Sequence, residues 1–332
     1  MKYSACSLLM LMGLFLCGCN DGSDKEGVVS SRYVHKYGYA IAEEDWASKN
    51  YPGQQISTLR NGVTVTTTYE NGIQHGPVTY TYPHSQMVEK YCLYNLGEKV
   101  KEVTYDPSGL PVQEWVQLSP TRYSMTYWFG QGSPMRVEEF VGDELLDGQY
   151  YNIQNELEAR VERGNGTRMI RHRDGGLLAR EAIDSGYAIK KETFYPNGSP
   201  ESVAHYLRGA LNGEKRVFAQ TGEPLAIEEW VANQLHGKCS YFENGNRYLE
   251  TYYLYGKKEG IERQFVDGEA VAQETPWEGG LKHGEAVYYA DGKMHSEWYY
   301  QGELVSHHKF NELNRVDAII SRLPYRNESS SR

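Results

Sequence analysis

Between residues 58 and 305 the apolar positions come in short runs rich in Tyr, Trp, Phe, Val and Ile, such as "YLETYYLY", "AVYY" and "HSEWYY". Each run is cut by a polar stretch holding Gly, Asn, Asp or Pro. A breaker returns every ten to twelve residues, which leaves no room for helices between them. Short strands joined by hairpins are the element this pattern predicts.

The breakers form two interleaved series. One runs through Gly72, Gly97, a weak position near Pro120, Asp143, Gly164, Gly186, Gly209, Asn233, Gly256, Gly280 and Gly302, with intervals of 22, 23, 24, 23, 24 and 22 from Gly164 onwards. Asn and Asp are the side chains that best tolerate positive φ, so their substitution for Gly marks a left-handed turn position. The other series, Gly62, Gly109, Gly132, Gly176, Gly198, Gly222, Gly245, Gly268 and Gly292, includes Asp-Pro-Ser-Gly, Tyr-Pro-Asn-Gly and Phe-Glu-Asn-Gly, which are tight-turn sequences. The expected fold is all-β: an elongated antiparallel meander of about eleven repeated β-hairpin units with a period of about 23 residues.

One unit reads aromatic-x-x-Gly-x-x-His-Gly-x-x-x-aromatic. It stands as "YENGIQHGPVTYTY" at 69–82, "YLRGALNGEKRVF" at 206–218, "WVANQLHGKCSYF" at 230–242, "YLYGKKEGIERQF" at 253–265 and "WEGGLKHGEAVYY" at 277–289. This unit resembles the MORN-variant repeat family, whose bacterial members include YwqK-type antitoxins. The repeat turn positions are Gly72, Gly76, Gly209, Gly213, Asn233, Gly237, Gly256, Gly260, Gly280, Gly284 and Gly302. The resemblance implies repeat architecture and, through the antitoxin label, neutralisation of a toxin by direct contact. The pattern breaks in three places. The first turn is missing around "LSPTRYSMTYWFGQGSPMRVEEF", one extra residue lies between Asp143 and Gly148, and Arg168 and Lys190 replace the second glycine. Strand register between 100 and 190 stays open.

Candidate chemistry dissolves into the repeat. His75, His236 and His283 share one slot with Asn212, Glu259 and Asp147, an exchange that no metal ligand or general base would allow; a polar cap beside a turn fits all six. Asp291 belongs to a turn and Glu297 to an exposed strand face. Glu138 with Glu139, and Glu228 with Glu229, are strand neighbours on opposite faces and cannot act together as acid and base. There is no Walker-type glycine loop, His-Glu-x-x-His, Gly-x-Ser-x-Gly or Cys-x-x-Cys, so no catalytic residue, metal site or cofactor is expected. His205 and the pair His307-His308 are the residues an enzyme reading would have to use.

Composition sharpens the picture. Tyrosine outnumbers phenylalanine 28 to 8, as suits rings that bind a thin sheet together while keeping one edge in water. A carbohydrate-binding or base-stacking platform is the alternative use of those rings. A formal net charge of -10, without a basic run, disfavours nucleic acid. A mean hydropathy of -0.66 rules out a multispanning membrane protein.

The chain's start differs from the rest. "MKYSACSLLMLMGLFLCGC" holds an apolar run from Leu8 to Leu16, too short to span a bilayer, and ends in a segment resembling the bacterial lipoprotein box with Cys19 as the acylated residue. An ordinary cleaved signal or a short uncleaved anchor is the other reading. The expected organisation is a lipoprotein signal at 1–18, a polar tether at 19–32, an N-terminal cap region at 33–57 containing "AIAEEDWASKN", and the repeats at 58–305. A helical cap at 306–324 and a disordered tail at 325–332 complete it. The helix is read from Leu313, Val316, Ile319, Ile320 and Leu323, with Asn311 as N-cap and Pro324 as its stop; binding a partner is its alternative role. Cys92 and Cys239 are 147 residues apart. In an extended meander that is on the order of 60 Å, which excludes an intramolecular disulfide.

Taken together, these features describe a non-catalytic scaffold anchored to the bacterial cell envelope, at the outer rather than the inner membrane. It would bind another protein or an envelope polymer through a Tyr-rich acidic face, and edge pairing between copies remains open. An antitoxin is the alternative.

Overall fold

The structure is a computed structural model that describes residues 27–290 and 292–320. Cys19, the signal segment, Asp291, Leu323, Pro324 and the tail at 325–332 lie outside the described residues. The chain is an all-β antiparallel meander with two helices, divided into a unit ending at Gly109 and a unit beginning at Leu110.

The first unit opens with strand Val28–His35, which pairs antiparallel with Gly53–Leu59 and with the short strand Ala40–Ile41. The strand therefore begins inside the stretch 19–32 read as a tether. Val28, Val29 and Tyr33 supply the β-branched and aromatic side chains that a strand wants, and the pairing partner lies too far along the chain for local composition to reveal it. Helix α1, Glu43–Lys49, fills the connection, with Glu43, Glu44 and Asp45 in its first turn and Lys49 in its last, each sign matching the helix dipole. It ends at Asn50 in the left-handed conformation. Trp46 on α1 stacks on Tyr33 at 5.3 Å and meets Tyr69 edge-on at 5.8 Å. Strands Thr64–Glu70, Ile73–Thr81, Val88–Asn95 and Glu98–Tyr105 follow as consecutive hairpins.

The second unit continues the same way from Pro111–Ser119 to Glu303–Val305 and closes with helix α2, His307–Ile320. Within each unit the two turn series have different geometry. At the first series both central residues have positive φ, as in Asn71 and Gly72 (53° and 76°), Ala232 and Asn233 (50° and 65°) or Tyr255 and Gly256 (48° and 81°). These are type I′ turns, whose twist matches that of the strands they join. The second series closes three-residue loops: Tyr195 N–H donates to Ser199 O at 2.9 Å and Gly198 N–H to Tyr195 O at 2.8 Å, with Gly198 at φ 84°. Gly62, Gly132 and Gly222 repeat that arrangement. It is a type I turn followed by a left-handed bulge residue. In the loop at 172–176 the left-handed residue is Gly175 rather than Gly176.

The turn thought missing near Pro120 is present. Ser119 pairs with Arg122, so Pro120 and Thr121 close a hairpin without glycine and without positive φ. Proline's fixed φ suits the first central position of a type I turn. At 141–144 the left-handed residue is Gly142 (φ 59°), not Asp143, and the extra residue is absorbed as a bulge between Glu139 and Phe140.

Between 129 and 192 the sheet bends onto itself and makes a true core. Gly130 N–H donates to Arg173 O at 2.9 Å and Leu145 N–H to Gly186 O at 3.0 Å, joining hairpins that are not consecutive. Leu145, Tyr150, Val161 and Ile183 are buried there, with Phe140, Ala159, Met169 and Ala188 packed around them. Arg168, one of the residues replacing a repeat glycine, explains the departure from the pattern. Its guanidinium grips Glu138 through Nε at 2.6 Å and Nη2 at 3.0 Å, and reaches Glu181 at 3.1 Å. Tyr150 donates to Glu138 at 3.1 Å, and Lys191 pairs with Glu181 at 3.0 Å. Glu138 is only 1% exposed. Burial by itself would raise its carboxyl, but Arg168, helped by Arg136 and Tyr150, holds it below the ordinary glutamate value.

Removing one partner of such a pair leaves the other buried and uncompensated. Arg168→Met should destabilise the second unit by about 3–5 kcal/mol, and adding Glu138→Leu should recover much of that loss. Because the folded carboxyl is depressed, its stabilisation is complete above the ordinary value of 4.5 and is lost as pH falls through the lower folded value. Thermal midpoints of wild type and both variants from pH 7 down to about pH 3 measure this; the wild-type advantage should shrink on the acid side.

Candidate binding surfaces

The eleven repeat turn positions all have positive φ, from 65° at Asn233 to 118° at Gly284. They fall into two geometric roles. Gly72, Gly209, Asn233, Gly256, Gly280 and Gly302 are second residues of type I′ turns, and in most of these turns the residue before them is not glycine. Leu96, Arg208 and Tyr255 take left-handed conformations that cost an L-residue roughly 1–2 kcal/mol. Hydrogen bonds from the preceding unit hold the turns at Gly97, Asn233, Gly256, Gly280 and Gly302. The N–H of the second turn residue donates to a carbonyl two residues past the previous turn: Gly97 to Gln74 (2.8 Å), Asn233 to Leu211 (3.0 Å), Gly256 to Leu235 (2.8 Å), Gly280 to Lys258 (2.9 Å) and Gly302 to Lys282 (2.8 Å).

The second bond explains the slot shared by His, Asn, Asp and Glu. His75 Nδ1 accepts from Leu96 N–H (3.2 Å), Asn212 Oδ1 from Ala232 N–H (3.4 Å), and Asp147 Oδ1 from Arg163 N–H (3.1 Å). Glu259 Oε2 accepts from Gly279 N–H (2.8 Å) and His283 Nδ1 from Gln301 N–H (3.4 Å). Each side chain offers one acceptor to the first residue of the next turn. A carboxylate, an amide and a neutral imidazole serve equally, which is why they interchange. His236 differs: its ring meets Tyr255 at 4.6 Å.

The remaining turn positions, Gly76, Gly213, Gly237, Gly260 and Gly284, face an aromatic residue on the following strand: Tyr94, Trp230, Tyr253, Trp277 and Tyr299. A Cβ on Gly284 would stand 3.0 Å from Pro276 Cγ, and one on Gly237 would stand 2.0 Å from Glu229 Oε2. Glycine thus admits both a bulge and a ring laid across the strand. Cations flank several rings: Lys258 Nζ lies 4.6 Å from the Trp277 ring centre, Lys282 4.8 Å from Tyr299 and Lys215 5.7 Å from Trp230. These rings lie between a glycine and a cation. Where Arg168 and Lys190 replace glycine, they face Glu181 and His205.

At the C-terminal end, α2 packs through His307, Phe310, Asn314 and Asp317. His307 stacks on Trp298 at 4.3 Å, Phe310 lies 4.9 Å from Trp298, Asn314 meets His283 Nε2 at 3.3 Å, and Tyr300 donates to Asp317. Ser306, not Asn311, caps the helix, accepting from Lys309 N–H at 3.2 Å. Val316, Ile319 and Ile320, read from their spacing as the packing face, are exposed, as are Leu281 and Leu304. The polar contacts of Asn314 and Asp317 rotate the helix away from the apolar face that periodicity selects. Beside them lies a cleft of about 380 Å³ lined by Glu278, Leu281, His283, Gln301, Asn314 and Asp317.

Cys92 and Cys239 are buried free thiols; burial, the main cause for both, pushes Cys92 up to about 12 and Cys239 up to about 11. Among the described residues there is no cluster of side chains able to hold a metal ion, and no helix is long and apolar enough to cross a membrane.

Two segments, residues 229–247 and 277–294, match the family model of the MORN repeat. Both contain the second glycine, Gly237 or Gly284, and the aromatic strand after it. No curated protein matches the chain. Among solved structures, a porin-like protein from Bacteroides uniformis is 10% identical, with 80% of this chain and 92% of that chain covered, at a TM-score of 0.14, which carries no argument. The MORN repeat points to a repeat binding scaffold, here assembled from stacked turns and aromatic rows.

Replacing a strained left-handed residue by glycine should relieve its cost. Leu96, 70% exposed at φ 49°, makes a clean test. Leu96→Gly should stabilise the protein by about 1 kcal/mol in chemical denaturation, against a loss of similar size for Gly97→Ala.

Proposed function

We propose that this chain is a non-catalytic scaffold of the bacterial cell envelope, held to the membrane by acyl chains on Cys19, that binds a protein partner with the C-terminal end of its second unit. The observation that carries the partner site is the group of exposed apolar side chains there: Leu281 and Leu304 beside turns of the sheet, and Val316, Ile319 and Ile320 on α2. Apolar groups collected at one end of a soluble fold, with polar residues around them, are characteristic of protein interfaces. Glu278, Glu303, Glu312 and Asp317 lie in the same elements, and the chain carries a net charge of -10, so a partner with a basic rim around an apolar anchor fits best. The lipid anchor is supported by the apolar run from Leu8 to Leu16 and the segment ending at Cys19.

Mass spectrometry of the mature N-terminus from fractionated cells tests the anchor. An acylated Cys19 in the membrane fraction is expected; a soluble cytoplasmic chain still carrying Met1 would overturn the envelope assignment and favour the antitoxin reading. Site-specific photo-cross-linking in living cells tests the partner site. A probe at Leu304 or Ile319 should give one discrete protein adduct, weakened about tenfold by Leu281→Asp, a loss of about 1.4 kcal/mol. Adducts unchanged by that substitution would sink the site.

A further inference from the structure

Helix α2 covers one sheet face of the last hairpin. It lies over Trp298, on which His307 stacks and which Phe310 meets at 4.9 Å, and over Tyr300, which donates to Asp317. Trp298 and Tyr300 are two apart on strand Lys293–Tyr300 and so point to the same face. Each ends a row that crosses the neighbouring strands.

The row through Trp298 passes to its partner Glu285, then to Pro276, and on to Ile261, which pairs with Pro276. Glu250 pairs with Arg263, so two residues further along each strand Tyr252 stands beside Ile261. The row through Tyr300, nearer the type I′ turns, holds Leu281, which pairs with Glu278, two residues beyond Pro276. It also holds Leu254, two residues beyond Tyr252. All four apolar side chains therefore share the face that α2 covers one hairpin further on. There they are exposed, from 36% at Tyr252 to 51% at Leu281.

The geometry selects what fits them. α2 runs along the strands: Phe310, Asn314 and Asp317, spaced as i, i+4 and i+7, meet Trp298, His283 and Tyr300. The two rows lie two residues apart along each strand, ~7 Å, which is close to the helical pitch of about 5.4 Å. A helix in this direction thus meets both rows. Packed helices stand roughly 8–10 Å apart, and two strands span ~10 Å, so a second helix beside α2 comes to lie over Ile261, Pro276 and Leu281. Where α2 sets Asn314 and Asp317 on polar atoms, this helix meets Leu281 and Leu254 and needs apolar residues instead. Glu278 and Glu285 are exposed on the same face, so basic residues suit its flanks. We infer that these rows seat an amphipathic helix of the partner protein, lying beside α2 with apolar residues at i, i+4 and i+7 and basic residues on its flanks. This rests on the scaffold reading above and names what docks at that site.

Photo-cross-linking of the full chain in living cells tests it, with benzoylphenylalanine placed at Ile261 or Leu254 and the joined partner residues mapped by mass spectrometry. Both probes should join the same protein that a probe at Ile319 joins, at partner residues three, four or seven apart. Ile261→Lys should weaken the Leu254 adduct about tenfold without lowering the thermal midpoint; Tyr252→Lys repeats the test at a second exposed position should the first variant fail to fold. An adduct from Ile319 with none from Ile261 and Leu254 would overturn the helix seat while leaving the scaffold reading in place. No adduct from any of the three would overturn both. Partner residues two apart, the spacing of an extended strand, or an adduct to a second copy of this chain would also overturn the helix seat.

Discussion

The structure depends on the turn-to-turn hydrogen bond along the type I′ edge of each unit. A hairpin buries little on its own, and a two-residue turn with Leu, Arg or Tyr in the left-handed region is uphill by roughly 1–2 kcal/mol. The N–H of the second turn residue reaches a backbone carbonyl of the hairpin before it, and the N–H of the first is met by a side-chain acceptor in that same hairpin. At a net ~0.5–1.5 kcal/mol each, two such bonds match or exceed the strain. The spacing between turns is therefore fixed: a hairpin of the wrong length would carry its turn past the acceptors. That accounts for intervals that hold between 22 and 24 residues from Gly164 onwards while most side chains change.

Packing follows from the same constraint. With the turns in line, the second glycine of one hairpin comes opposite an aromatic residue of the next strand, and the ring covers the space that glycine leaves. Lys side chains lie against several of these rings and carry carboxylates with them, so charge is spread through the sheet as local pairs. Where Arg168 stands in place of a repeat glycine, the sheet bends and a buried ionic cluster around Glu138 replaces the ring-on-glycine contact. Lys190, at the other such position, faces His205 and pairs with Glu192 at 2.8 Å.

Much of the fold was legible in the sequence, because turns need glycine, asparagine or proline whatever surrounds them. Strand content, antiparallel order and the existence of α2 followed from those residues. The shared role of His75, Asn212, Glu259 and His283 was legible as a cap, though not which N–H each one accepts. The pairing of glycine with an aromatic leaves only a loose mark in the sequence, since the separation drifts from 18 residues between Gly76 and Tyr94 to 15 between Gly284 and Tyr299. The bond between Arg168 and Glu138 was not legible, since the two are 30 residues apart and meet only because the sheet bends. The exposed face of α2 was misjudged for a related reason: Asn314 and Asp317 find partners on the sheet that helical periodicity does not contain.

Hydrogen exchange of the turn amides, resolved residue by residue in the native protein, tests the account most directly. The amides of Gly97, Asn233, Gly256, Gly280 and Gly302 sit at exposed hairpin tips, where an isolated turn would exchange almost as fast as an unfolded peptide. The account predicts protection at all five comparable to that of the adjoining strands, and faster exchange at Ala232 in Asn212→Ala. Rapid exchange at these amides in the wild type would show that the hairpins stand independently and that the turn ladder does not hold the sheet together.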